Sequence, residues 1–265
     1  MIEQSKKASF KNLIEAEYRK IMFLKFSKKF LGALVMISLS LGLIFSLTTN
    51  MTEGRSIGEL SPKDVVSASM LGIDAAAMML IIFTAILISS EFSTKLIYTS
   101  LAGTPNRKRF YYSKLMTYCL FAMIISLMVT LTTFVAGQLV LVFNGMPMAS
   151  LKDHSLIQLI IGSAIMPVFY CMLTVASTFI FMSSAGGITF SFLVLLIPAL
   201  VRMFPLSVQK LMMPILPQSA LHSLSGIASA SSYELLGNRT SIVLLFIWIG
   251  ITSAIGIFQL KRKDI

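Results

Sequence analysis

The stretch LMTYCLFAMIISLMVTLTTFVAGQLVLVFNGMPMASL, Leu115–Leu151, runs for 37 residues without one charged side chain. A second stretch, His154 to Val201, holds no Asp, Glu, Lys or Arg either. A helix needs about 20 apolar residues to cross roughly 30 Å of hydrocarbon. Both stretches are too long for a buried helix of a water-soluble protein, and the second has room for two crossings. Working outward, four more segments complete the pattern. Six spans are predicted: Leu31–Leu47, within Val65–Ser89, within Leu115–Phe143, within Leu156–Met182, about Gly186–Phe204 and about Ile242–Leu260. The apolar runs are continuous rather than alternating, which excludes a membrane β-barrel. The expected fold is all-α: an integral membrane bundle of six helices in one domain covering 1–265.

Composition agrees. Of 265 residues, 56% are apolar and 12% charged, and the mean hydropathy is +0.84. Soluble domains carry about twice that share of charge. Too few charges remain to solvate the surface of a globule this size, so a soluble enzyme and a disordered chain are both excluded. A cleaved signal peptide is not expected. The basic region before the first span is nearly 30 residues long, and no A-x-A-like site follows that span.

The net charge of +11 reflects 22 Lys and Arg against 11 Asp and Glu. Their placement follows the six spans. Residues 1–30 hold eight basic residues, the connection between spans two and three holds five, and the tail after span six holds three. That gives sixteen on one side of the membrane and six on the other. By the positive-inside rule both termini are cytoplasmic, as an even number of spans requires. Topology thus accounts for the basic balance. No basic stripe with interleaved aromatics sits on a solvated domain, so nucleic acid is not an expected partner.

Within 1–30, Phe10, Leu13, Ile14, Tyr18, Ile21 and Met22 share one arc of a helical wheel, with Asn12, Glu15 and Arg19 opposite. This predicts a basic amphipathic helix lying in the inner membrane interface, its lysines facing anionic lipid. The connection after span two reads EFSTKLIYTSLAGTPNRKRFYYSK, Glu91 to Lys114. An acid ends the span, a short amphipathic run follows, and Gly103-Thr104-Pro105-Asn106 makes a turn. Arg107–Arg109 then lead to Lys114 at the start of span three. Connections in helix bundles usually have 2–8 residues. The region 90–114 is therefore long enough to carry an element that touches a partner.

These residues carry a resemblance. The chain resembles the permease subunit of an ATP-binding-cassette transporter of the ABC-2 type. In that family an acid ends span two, a Thr follows about three residues on, a turn with Pro and Arg comes next, and a Lys opens span three. Glu91, Thr94, Pro105, Arg107 and Lys114 match in type and order. So do the basic amphipathic start, NLIEAEYRKIMFLK at Asn12–Lys25, and the end FQLKRKDI, with Arg262, Lys263, Asp264 and Ile265. Ser93 stands where the family often has Gly, and Lys263 where Arg is commoner. The resemblance implies that the 90–114 connection docks as a coupling helix into a separate cytoplasmic ATPase. The coupling residues it implies are Glu91, Thr94, Lys95, Thr104, Pro105, Arg107 and Lys114, with Glu91 pairing either with Arg107 or with a basic group of the ATPase. It also implies a second permease subunit, the same or a paralogue. ATP and Mg would then be bound by the ATPase alone. The chain has no G-x-x-x-x-G-K-[ST] phosphate loop, so no cofactor and no enzymatic activity of its own are expected.

Asp74 is the sole acid within a predicted span, which makes it a candidate lumen or gate residue; alternatively, with span two beginning near Met70, it lies one turn inside the boundary and snorkels to water. Arg202, at the outer end of span five, is a second gate candidate. The outer loop 203–241 is too apolar for a free linker and predicts re-entrant or interfacial helices. His154 and His222 look isolated, with no metal-ligand spacing. Cys119 and Cys171 fall in apolar runs and read as packing residues rather than a disulfide. Asn50-Met51-Thr52 and Asn238-Arg239-Thr240 are glycosylation sequons only in form.

The expectation is an export permease in the plasma membrane of a bacterium, moving an antimicrobial or amphipathic peptide or a drug. Two alternatives stay open. One is an ion-coupled secondary transporter, which needs intramembrane charge; the other is a non-transporting scaffold or sensor.

Overall fold

The computed structural model describes residues 10–53, 59–97, 106–228 and 233–262. The elements are α1 (Phe10–Phe23), α2 (Lys25–Glu53), α3 (Pro62–Met70), α4 (Gly72–Ser93), α5 (Arg107–Phe143), α6 (His154–Phe181), α7 (Ser184–Val201), α8 (Leu206–Met212), a 3₁₀ turn (Met213–Ile215), α9 (Pro217–Ser225) and α10 (Asn238–Arg262). The described residues contain helices and no strand. Six helical units are long and apolar enough to cross a membrane: α2, α3 with α4, α5, α6, α7 and α10. The six-helix expectation holds, although the helices overrun the predicted spans. At 1.5 Å per residue, the 37 residues of α5 extend over about 55 Å, well beyond the hydrocarbon.

Local signals set the boundaries. Ser61 caps α3 by accepting Asp64 N–H at 3.2 Å, with Pro62 as the first helical residue. Asn106 caps α5 by accepting Arg109 N–H at 3.2 Å. Asp153 caps α6 by accepting Ser155 N–H at 2.9 Å. Met182 in the left-handed region and Ser183, which caps α7, make a two-residue turn where the sequence predicted 183–185.

The hub is α6, which touches α4, α5, α7, α9 and α10. Its α7 interface is polar in detail: Thr174 Oγ1 donates to Ser191 Oγ at 2.9 Å, and Ser177 lies 3.2 Å from the Gly187 carbonyl. Small hydroxyl residues let helices approach where lipid gives them no hydrophobic reason to associate. A Cβ on Gly72 would lie 2.2 Å from the Ser38 carbonyl oxygen, so α2 and α4 touch backbone to backbone. Apolar side chains of α2, α5, α7 and α10 remain exposed, among them Met36, Leu131, Leu196 and Phe246.

The helix α1 covers Phe10–Phe23. It packs on α5 and, more lightly, on α2, with Ile21 buried. It stops at Phe23, before the span begins at Lys25.

Candidate functional site

Two polar centres stand at opposite ends of the bundle. The first joins the end of α4, the start of α5 and α1. Phe110, Lys114, Thr117, Tyr118 and Phe121 repeat at helical spacing on the buried stripe of α5. Lys114 therefore points inward, its side chain 1% exposed, and its ammonium needs partners. It donates to Glu91 Oε1 at 2.7 Å and to Glu17 Oε2 at 2.8 Å, and lies 5.1 Å from the centre of the Phe110 ring. Lys20 donates to the same Glu91 oxygen at 2.5 Å. Two carboxylates and two ammonium groups thus neutralise one another. The other carboxylate oxygen, Glu91 Oε2, is buried with no hydrogen-bond partner among the described residues.

The sequence reading paired Glu91 with Arg107 or with a basic group outside the chain. In the structure Lys114 and Lys20 take that place. Arg107 turns the other way: its Nη1 donates to the carbonyl oxygens of Leu260 at 2.7 Å and Lys261 at 3.1 Å, at the end of α10. A cation is disfavoured at the start of its own helix and favoured at the C-terminal end of another, and α10 supplies that end. Thr94 and Lys95 are exposed and terminate α4. Thr94 Oγ1 donates to the Ser90 carbonyl at 2.5 Å, and Lys95 is in the left-handed region with φ of 59°. Thr104 and Pro105 lie outside the described residues, as do the terminal Lys263, Asp264 and Ile265.

Glu17 and Lys20 were not foreseen. A signal was present: Glu17 follows Leu13 by four residues and precedes Ile21 by four, so it interrupts the apolar arc that faces α5.

The second centre is built by the 203–241 region folding back. Pro217 starts α9, and Gly226, with φ of 68°, ends it. Seven of its nine residues are buried, whereas α8 buries none. Gly162 of α6 makes the insertion possible: a Cβ there would lie 2.3 Å from Ser225 Cα. Gln218 and His222, four apart, share one face of α9. Tyr170 of α6 donates to Gln218 Oε1 at 2.6 Å. Gln218 Nε2 is 3.0 Å from His222 Nε2, and His222 Nδ1 is 3.0 Å from Glu234 Oε2. With the imidazole hydrogen on Nδ1, every contact in this relay has one donor and one acceptor. Arg202 donates to Glu234 Oε1 through Nη2 and, at 3.0 Å, through Nε. His222 first and Arg202 second hold the Glu234 carboxyl well down, to about 2, against the opposing effect of burial.

A cavity of about 420 Å³ opens beside this relay, lined by Asp74, Arg202, Gln218, His222 and Glu234 together with apolar side chains of α3, α4, α6 and α7. Both gate candidates, Asp74 and Arg202, thus face one space. The helical unit begins at Pro62 rather than near Met70, which places Asp74 twelve residues along it. Within that unit Asp74 lies in the first turn of α4 and is partly exposed. His222 is not isolated either; its companion Glu234 comes from twelve residues on, a spacing without regular periodicity. No group of three or more His, Cys, Asp or Glu is placed to hold a metal ion among the described residues.

Cys171 is buried and Cys119 half-buried, and both are free thiols. No protein-family model matches this chain. No curated protein matches it either.

Proposed function

We propose that this chain is the membrane-spanning permease subunit of an ATP-driven exporter of the ABC-2 type, with both termini in the cytoplasm and its energy drawn from a separate ATPase subunit. The observation that carries the reading is the Glu17–Lys20–Glu91–Lys114 cluster. The connection between α4 and α5 is anchored at both ends in one buried ionic knot, and the same knot fixes α1. A push on the connection is then delivered to three helices together. Arg107 adds a fourth by gripping the end of α10. Sixteen of the 22 basic residues belong to the sequence segments before span one, between spans two and three and after span six, which supports a cytoplasmic assignment of that side. The missing phosphate loop supports an outside source of energy.

In this reading Thr94 and Lys95, exposed at the end of α4, meet the ATPase, while Glu91 and Lys114 transmit its movement from within. The exposed apolar faces meet lipid and a second permease subunit. The cargo class is an amphipathic peptide or a drug.

The test is copurification from mild detergent with an ATP-binding-cassette ATPase, followed by ATP turnover of the complex. Lys95→Glu changes an exposed side chain, so it is expected to lower stimulated turnover without loosening the fold. Glu91→Ala and Arg107→Glu are expected to lower both. Unchanged turnover in all three refutes the assignment. The cavity beside Asp74, His222 and Glu234 favours a second reading, an ion-coupled transporter. Cargo moved by the purified chain in sealed vesicles without ATP selects that reading and overturns the first.

A further inference from the structure

The cavity beside α9 has a charge balance that selects a ligand. Arg202 is held on one oxygen of Glu234, and the other oxygen is engaged by His222. His222 is in turn engaged by Gln218. These groups satisfy one another. Asp74 differs, since its carboxylate makes no hydrogen bond among the described residues while lining the same space. With a neutral imidazole, the charged side chains around the cavity sum to one negative charge, and that charge is the unmatched one. The remaining wall combines Ser67, Ser163 and Ser225 with an adaptable apolar part that includes Met70, Ile73, Met166 and Leu195. The volume of about 420 Å³ falls in the range of small-molecule sites.

We infer that this cavity binds a monovalent organic ammonium with an apolar body, the ammonium on Asp74 and the body against the methionine-lined wall. An anion is opposed by the negative charge of Asp74, and the charge of Arg202 is already matched by Glu234. A neutral amphiphile fills the wall but leaves the half-buried carboxylate without a countercharge. Such an ammonium is carried both by free amphiphilic amines and by aminophospholipid headgroups. The site stands apart from the exporter reading, since binding requires neither ATP nor a partner.

The test uses the full chain, purified in a maltoside detergent with phosphatidylglycerol as the only lipid. Three probes share one body: 4-phenylbutylammonium, 4-phenylbutanol and 4-phenylbutanoate. The ammonium is expected to bind saturably, about tenfold or more tighter than the alcohol, with the carboxylate weakest. Asp74→Asn is expected to remove the preference for the ammonium while leaving the alcohol unchanged. Ala199→Trp, at an exposed position on the cavity rim, is expected to weaken the ammonium and the alcohol alike, and it keeps the test decisive if the Asn variant fails to fold. Adding phosphatidylethanolamine identifies the source: competition assigns the site to a lipid headgroup, and no competition assigns it to a free amine. Equal binding of ammonium and alcohol by the unaltered chain overturns the inference, as does undiminished ammonium binding by both folded variants.

Discussion

Glu91→Leu is the most informative single change in this chain. It removes the oxygen shared by Lys114 and Lys20. Lys20 is 40% exposed and turns to water, but Lys114, 1% exposed, keeps only Glu17. Breaking a buried ion pair by removing one partner costs about 3–5 kcal/mol. Because Glu17 remains at 2.8 Å, the lower end, about 3 kcal/mol, is expected. Lys114→Met is milder, since Glu91 still holds Lys20; about 1–3 kcal/mol is expected for the loss of its charged hydrogen bond. The double variant Glu91→Leu with Lys114→Met takes both buried charges away. Glu17 and Lys20, three apart on α1, remain to face each other, and stability is expected within about 1 kcal/mol of the original. The two sites are then coupled by several kcal/mol. The reporter is built in: Cys171 is fully buried and bonded to Thr84, so its reaction with a thiol fluorophore on heating reads unfolding. Cys119→Ser removes the half-buried background thiol. If the double variant loses as much as its two parents combined, the ionic knot is not what holds these helices, and the mechanical argument built on it fails.

Other consequences are checked in the same way. Glu234 is held at about 2 in the fold against an ordinary 4.5. A depressed carboxyl contributes stability that is full above about pH 4.5 and is lost as pH falls through about 2. A melting series from pH 6 downward is expected to show that loss, and Glu234→Gln is expected to start lower and fall less steeply. Gly162→Val places carbon on the Ser225 backbone and is expected to cost at least about 1–3 kcal/mol by forcing α9 out. Gly250→Ala, with nothing within 4 Å, is expected to be neutral or to stabilise by up to about 1 kcal/mol. Arg107→Gln is expected to raise hydrogen exchange at the end of α10, where the Leu260 and Lys261 carbonyls lose their donor; exchange unchanged from the original refutes the capping role.

Periodicity and length determined the helices. A run such as Leu115–Phe143 has one stable state in lipid, because only a helix satisfies its own backbone there. The caps at Ser61, Asn106 and Asp153 are equally local, each side chain meeting a backbone N–H two or three residues on. Which charges meet is not a local property. Glu91 and Lys114 are 23 residues apart and Lys20 is 71 residues from Glu91; only the antiparallel docking of α4 on α5, with α1 across them, makes them one cluster. Arg107 reaches 153 residues along the chain for its partner. Asp74 and Arg202 each looked like a lone gate residue, and the insertion of α9 gave them a common cavity and gave His222 a companion. Long-range electrostatics is decided by packing, because a buried charge takes whatever partner the neighbouring helix brings within reach.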